Sequence, residues 1–333
     1  GDAGVAVIRL SGAQAWEIAR ALFSKPDAQA PPLDPTALAK FGRLDVVARL
    51  VVEGYMIGQH KSPFKGSSIE FVEHRQYYPG DEIRHIDWKV WSKTDRFYIK
   101  QYEAETNANF VTLLDVSASM RYGSGGITKL DYARYLAACL SWFSRQQRDR
   151  VGLITFDDGV RDYVPPSARH LDIVLHTLDR AGNDDADRAA RAATPEPGLA
   201  AAVATAAEHI RRRGVVVLIS DFYEDPAAAV EAVRQLRYRG NDVVVFHVLD
   251  PAEIQFPFDG PSGFEDLETG QRIPVVPETM RTRYRQLIDA HIADLARRFA
   301  DERIDYSLFD TGTPLDYALF RYLSDRQRLA RTR

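Results

Sequence analysis

Phe110-Val111-Thr112-Leu113-Leu114 runs straight into Asp115-Val116-Ser117-Ala118-Ser119. The first five residues are apolar or β-branched without polar alternation, the pattern of a strand buried on both faces of a sheet. The next five place one carboxylate and two hydroxyls at alternate positions on the loop that leaves it. In open α/β folds, ligands gather outside the carboxyl ends of the strands. Oxygen-only side chains suit a hard divalent cation such as Mg²⁺, which takes carboxylate and hydroxyl oxygen and keeps part of its water. A second reading is structural: Asp115 caps the next helix and the serines bond to loop backbone.

Outward from this stretch, strands alternate with helices. Leu130–Phe143 carries apolar residues at helical spacing, and Val151–Phe156 is a second strand, closed by the turn Asp157-Asp158-Gly159. Val160–Val164 reads as its hairpin partner at the sheet edge. Ala168–Leu178 reads as a helix. A helix from about Leu199 ends in Arg211-Arg212-Arg213-Gly214, with cations against the dipole and glycine at the cap. Val215–Ser220 and Val243–Leu249 are buried strands flanking a helix over Pro226–Arg239. A long helix from Pro277 to Asp301 feeds the strand Tyr306–Phe309, and a last helix starts at Pro314. This alternation predicts a mostly parallel sheet with helices on both faces. Upstream, Ile69–Val72 and Arg96–Tyr102 are rich in β-branched and aromatic residues, with a turn at Pro79-Gly80-Asp81, and predict a smaller β-rich subdomain. Residues 26–36 read as a proline- and alanine-rich linker, and Leu38–Val52 as a helix.

The 333 residues, 45% of them hydrophobic, can bury one large core, or one core and a satellite. A net charge of -4 gives no global attraction for nucleic acid or an anionic membrane. The single cysteine, Cys139, excludes an internal disulfide and a cysteine zinc site, and its apolar neighbours mark it as a core residue. No apolar stretch approaches the roughly eighteen residues needed to cross a bilayer, and no cleavable signal pattern is present. The expectation is a soluble, cytoplasmic protein.

Two further groups of residues invite a functional reading. Arg84, Lys89, Lys93, Arg96 and Lys100 interleave with Trp88, Trp91, Phe97 and Tyr98, as a single-strand binder requires. Asp87 and Asp95 stand among those cations, and tryptophans also fill cores and protein interfaces. Packing comes first among the three readings, then a docking surface of Arg84, Asp87, Trp88, Lys89, Trp91 and Arg96, then nucleic acid. Asp157 and Asp158 are explained by their turn. His74, His85, His170, His176 and His247 have no metal-ligand spacing.

Tyr78-Pro79-Gly80-Asp81-Glu82-Ile83-Arg84-His85-Ile86-Asp87-Trp88-Lys89, Lys129-Leu130-Asp131-Tyr132-Ala133, Leu218-Ile219-Ser220-Asp221 and Phe246-His247-Val248-Leu249-Asp250-Pro251, with the Asp115 loop, resemble the domain-of-unknown-function-58 family. The resemblance spans roughly residues 33–325 and implies a von Willebrand A-like (Rossmann-like) domain over 110–325, after a helix and β-rich subdomain over 37–109. It also implies a partner among MoxR-type AAA+ ATPases, beside which such proteins are often encoded. Residues 1–25 resemble instead the start of the folate-binding domain of a tRNA-modifying GTPase; no phosphate loop follows.

By the same resemblance, Asp115, Ser117 and Ser119 match the metal-ion-dependent adhesion site of such domains, and Asp221 its second carboxylate, which binds through water. That site also takes a threonine from another loop. Here the candidate is Thr194, several residues ahead of the aligned position in Ala192–Leu199. Three functions follow. The leading one is a Mg²⁺-dependent protein-interaction module, not an enzyme. The second is a metal-dependent hydrolase such as a phosphoesterase, against which stands the lack of an evident nucleophile and base. The third is an RNA-binding protein, disfavoured by the acidic charge.

Overall fold

Six strands form one sheet around the run that begins at Asn109. The computed structural model describes residues 44, 45, 48, 49, 51, 52, 70–78, 86–94, 96–103, 108–182, 199–260, 262–267, 271–319, 321 and 322. The chain divides into two compact units, 1–32 and 33–333, and every described residue belongs to the second. The strands and helices in chain order are β1 (Glu70–Gln76), α1 (Trp88–Thr94), β2 (Tyr98–Glu103), β3 (Asn109–Asp115), α2 (Lys129–Gln146), β4 (Arg150–Phe156) and β5 (Val160–Ser167). There follow α3 (Leu171–Ala181), α4 (Leu199–His209), β6 (Gly214–Ser220), α5 (Pro226–Tyr238), β7 (Asp242–Leu249) and α6 (Pro251–Gln255). Last come β8 (Ser262–Glu265), β9 (Arg272–Val275), α7 (Pro277–Asp301) and β10 (Asp305–Asp310), with residues 315–319 again helical.

The sheet runs β10-β7-β6-β3-β4-β5. All neighbours are parallel except β5, which pairs antiparallel with β4 at the edge. Pro165 and Pro166 sit in that edge strand, the one place in a sheet where a missing N–H is tolerated. Successive residues of β3 feed opposite layers. Leu114 joins the cluster built with Leu136 and Leu140 of α2 and Leu178 of α3; Leu113 joins that of Val203 on α4, Val233 on α5 and Leu295 on α7. Leu44, Ala48, Val51 and Val52, from the predicted helix over Leu38–Val52, are helical and buried in the first cluster. Both leucines of β3 are fully buried. Leu113→Ala and Leu114→Ala are each expected to cost about 3 kcal/mol in urea unfolding, a loss that a sheet packed on one face would show for only one of them.

The predicted fold class therefore stands: α/β, a mostly parallel sheet covered by helices on both faces. Two helix limits differ from expectation. Helix α4 stops at His209; Ile210 still packs into the second cluster, and Arg211, Arg212 and Arg213 after it lead into β6 outside the helix. Gly214 is no helix cap but the first residue of β6, where a Cβ would lie 2.0 Å from the Asn109 carbonyl oxygen. Helix α3 begins at Leu171, since Ser167–His170 make a turn. Helices α1 and α6 and the β8–β9 pair had no periodic signal long enough to announce them. The strands β1 and β2 pair antiparallel, with α1 between them in sequence. Among the described residues, no helix is long and apolar enough to cross a membrane.

Candidate metal centre

Asp115 ends β3 at the carboxyl edge of the sheet, beside the end of β6, where Ser220 and Asp221 leave it. Its carboxylate is buried and doubly bonded: Oδ1 accepts the Ser117 N–H at 2.9 Å, and Oδ2 the Ser220 hydroxyl at 2.6 Å. The Ser117 and Ser119 hydroxyls face each other at 3.1 Å. Asp115 does not cap a helix. That task falls to Thr128, whose hydroxyl accepts the Asp131 N–H at 3.0 Å at the start of α2.

Burial, and next the Asp221 charge, push the Asp115 carboxyl up to about 7, although the Ser220 and Ser117 bonds oppose them. Among the described residues Asp115 makes no ion pair. A buried carboxylate, two hydroxyls on alternate residues and a second carboxylate within electrostatic reach make a hard-oxygen donor set short of positive charge. By their chemistry those residues could hold a divalent cation, with Asp115, Ser117 and Ser119 as the donors and Asp221 beside them, as the resemblance implies. Thr194 lies outside the described residues. Among them, no group of three or more His, Cys, Asp or Glu is placed to hold a metal; here half of the donors are serines.

The loop carrying Asp221 is held in a costly shape. Phe222 has φ 46°, the left-handed region that a phenylalanine enters only under compulsion. The compulsion is local. Its N–H bonds the Ser220 hydroxyl at 3.2 Å, its carbonyl accepts the His291 Nε2–H at 2.8 Å, and its ring is buried 5.9 Å from that of Phe299. Helix α7 thus props the strand end that presents Asp221. His247 is buried in β7 with Nδ1 2.7 Å from the Tyr306 hydroxyl, and burial drives it down to about 3, so it stays neutral.

The structure adds a cation that the spacing arguments passed over. Lys129, the first residue of α2, is fully buried, and its Nζ lies 2.7 Å from both Asp221 Oδ2 and Glu253 Oε1. The Tyr223 ring sits 4.7 Å from the same nitrogen. Burial alone would strip the lysine of its proton, but Asp221 and Glu253 hold it above its ordinary value. Glu253 also accepts the Asp250 N–H at 2.9 Å in the capping box of α6. One signal was available in the sequence: a lysine on the apolar face Leu130, Tyr132, Ala133, Leu136 of a buried helix.

The proposed docking face is divided by the structure. Trp88, Trp91 and Arg96 are exposed, and the rings of Trp91 and Phe97 stack at 5.9 Å. Asp87 is corrected to a structural role: it is buried, and its Oδ1 accepts the Val90 N–H at 3.4 Å at the start of α1. Lys89 is described only as part of α1, and Arg84 lies outside the described residues. Asp157 is confirmed as a turn residue, its Oδ1 accepting the Gly159 N–H at 3.3 Å.

The strand order, the antiparallel edge strand and the Asp-x-Ser-x-Ser loop leaving β3 are in keeping with the von Willebrand A-like fold that the sequence resemblance implies. An uncharacterised protein of Mycobacterium tuberculosis (strain ATCC 25618 / H37Rv) is 28% identical over 267 residues, 79% of this chain and 81% of that protein. One from Mycobacterium avium is 32% identical over 132 residues, 35% of this chain and 74% of the other. Among solved structures, the conserved hypothetical protein BatB from Bacteroides thetaiotaomicron is similar at 18% identity and a TM-score of 0.42, over 66% of this chain and 99% of that one. The SpRpn10 VWA domain is similar at 11% identity and a TM-score of 0.36, over 63% and 92% of the two chains. The model of the protein family of unknown function DUF58 matches residues 73–294, more than half of the chain, and the chain belongs to that family.

Proposed function

We propose that the carboxyl edge of the sheet is a divalent-cation-dependent docking site for another protein, and that the domain is an interaction module and not an enzyme. The observation that carries this reading is the buried Asp115 carboxylate, bonded by Ser117 and Ser220 but lacking a counter-ion of its own among the described residues. When bound, a cation such as Mg²⁺ would supply a Lewis-acidic centre with room for one more carboxylate. Asp115, Ser117 and Ser119 would hold it, and Asp221 would orient a water beside it. Hydrolysis is the weaker reading. Lys129 is locked as an ammonium and His247 is neutral and turned to Tyr306, so neither is placed to activate a nucleophile. The resemblance to proteins encoded beside MoxR-type AAA+ ATPases makes such an ATPase the partner of choice.

The test is co-purification of the chain with a purified MoxR-type ATPase in Mg²⁺ and in EDTA. The complex is expected in Mg²⁺ alone, and Asp115→Ala should abolish it while far-ultraviolet circular dichroism stays unchanged. A complex that survives both chelator and substitution would refute metal-dependent docking. Turnover of a generic phosphoester by the purified chain, lost in Asp115→Ala, would favour the hydrolase.

A further inference from the structure

Lys129 stands where two elementary effects oppose it. Its ammonium is fully buried, which costs hydration, and it begins α2, whose N-terminus already carries partial positive charge. A residue serving stability alone would be apolar here, because buried ion pairs rarely outperform well-packed hydrophobic side chains. Its two 2.7 Å bonds go to Asp221, a member of the candidate donor set, and to Glu253 behind it. Asp115, Asp221 and Glu253 bring three carboxylates to one end of the sheet against this one ammonium. Asp250, the next carboxylate along, is bonded to Ser124, Ala252 and Thr311.

We infer that Lys129 is a specificity-determining residue of this site: by cancelling one carboxylate charge it matches the pocket to a divalent ion over a trivalent one. It also keeps the loaded site from repelling an incoming carboxylate. This rests on the metal-dependent reading above. Without Lys129 the ion would face one more uncompensated negative charge. Ion affinity would then rise while the attraction left for an acidic partner would fall. The lysine trades affinity for receptivity.

The experiment titrates the full chain with Mg²⁺ by calorimetry and with Tb³⁺ by luminescence, comparing wild type with Lys129→Met. Mg²⁺ affinity should rise roughly tenfold and Tb³⁺ affinity roughly thirtyfold, because the electrostatic gain scales with the charge of the ion. A lysine that merely supports the fold would move both affinities together or neither. An unchanged Tb³⁺-to-Mg²⁺ ratio in a folded variant overturns the assignment. If Lys129→Met does not fold, Glu253→Gln decides instead. It keeps the Lys129–Asp221 bond while removing a negative charge, so both affinities should fall, Tb³⁺ the more. An unchanged ratio there is equally fatal. A wild type that binds neither ion defeats the metal-dependent reading itself. If Lys129→Met then gains binding, the ammonium is the resident cation, and selectivity is the wrong role for it.

Discussion

Asp115→Asn is expected to make the ion-free protein more stable than wild type near about pH 8 and to abolish any stabilisation by Mg²⁺. Burial, and then the neighbouring Asp221, raise the Asp115 carboxyl from its ordinary 3.8 to about 7. Between those values the folded chain holds a proton that the unfolded chain has released. Stability from this group is therefore full below about pH 4 and is lost as pH rises through about 7. The loss is on the order of 4 kcal/mol if the whole difference is expressed. Asparagine removes the charge and keeps the shape. Its oxygen can accept the Ser117 N–H, and its amide can donate to a reoriented Ser220 hydroxyl. In wild type a bound cation would supply the missing charge, so Mg²⁺ should raise the melting temperature strongly near about pH 8 and little near about pH 5.5, where the proton competes. Calorimetric melting in Mg²⁺ and in EDTA at both pH values checks this. An equal Mg²⁺ increment at the two pH values, or any increment in Asp115→Asn, would sink it.

That prediction uses residues legible in the chain and others that were not, and the division has a physical basis. A strand buried on both faces must be apolar throughout, so β3, β4, β6 and β7 announce themselves as runs such as Val243–Leu249. The long helix Pro277–Asp301 shows its start because proline opens it. Asp115, Ser117 and Ser119 stand out as candidates because they put oxygen donors at alternate positions on a strand-end loop. Glu253 was opaque for the opposite reason, and Lys129 showed only as a lysine on the apolar face of its helix. Each lies in an ordinary local setting, a helix start and a capping box, and becomes part of the centre only when β7 and α2 are brought to one sheet edge. Ser220 is similar: a serine ending a strand says nothing until the β3–β6 register puts it against Asp115. Short elements such as α6 and β8 fall below the length at which periodicity speaks.

Asp250→Ala should cost about 3 kcal/mol and loosen the loop between Ser119 and Lys129, although Asp250 touches no candidate metal ligand. Its carboxylate is fully buried without a cation among the bonds it makes, and is stabilised by convergent donors instead. Oδ2 accepts the Ser124 N–H at 2.8 Å and the Thr311 hydroxyl at 3.4 Å, while Oδ1 accepts the Ala252 N–H at 2.8 Å and a short bond from the Ser124 hydroxyl. One side chain thus ties the loop before α2 to the start of α6 and to the turn after β10. In the alanine variant the exposed Ser124 can turn to water, but the buried Ala252 N–H and Thr311 hydroxyl cannot. Their unmet hydrogen bonds make up most of the loss. Asp250→Asn should lie between, since its amide must point a donor at a spot where two donors already meet. The loop it releases joins Ser119 to Lys129, so the hydroxyl and the ammonium of the centre would lose their common anchor and Mg²⁺ affinity should drop with stability. Hydrogen exchange resolves the two effects. Amides of residues 122–127 should exchange faster in Asp250→Ala even well below its unfolding transition, whereas those of β3 should speed up only by the factor that the loss of global stability sets. Protection of the loop equal to wild type, with stability within about 1 kcal/mol, would mean that Asp250 only caps α6 and that the centre is organised without it.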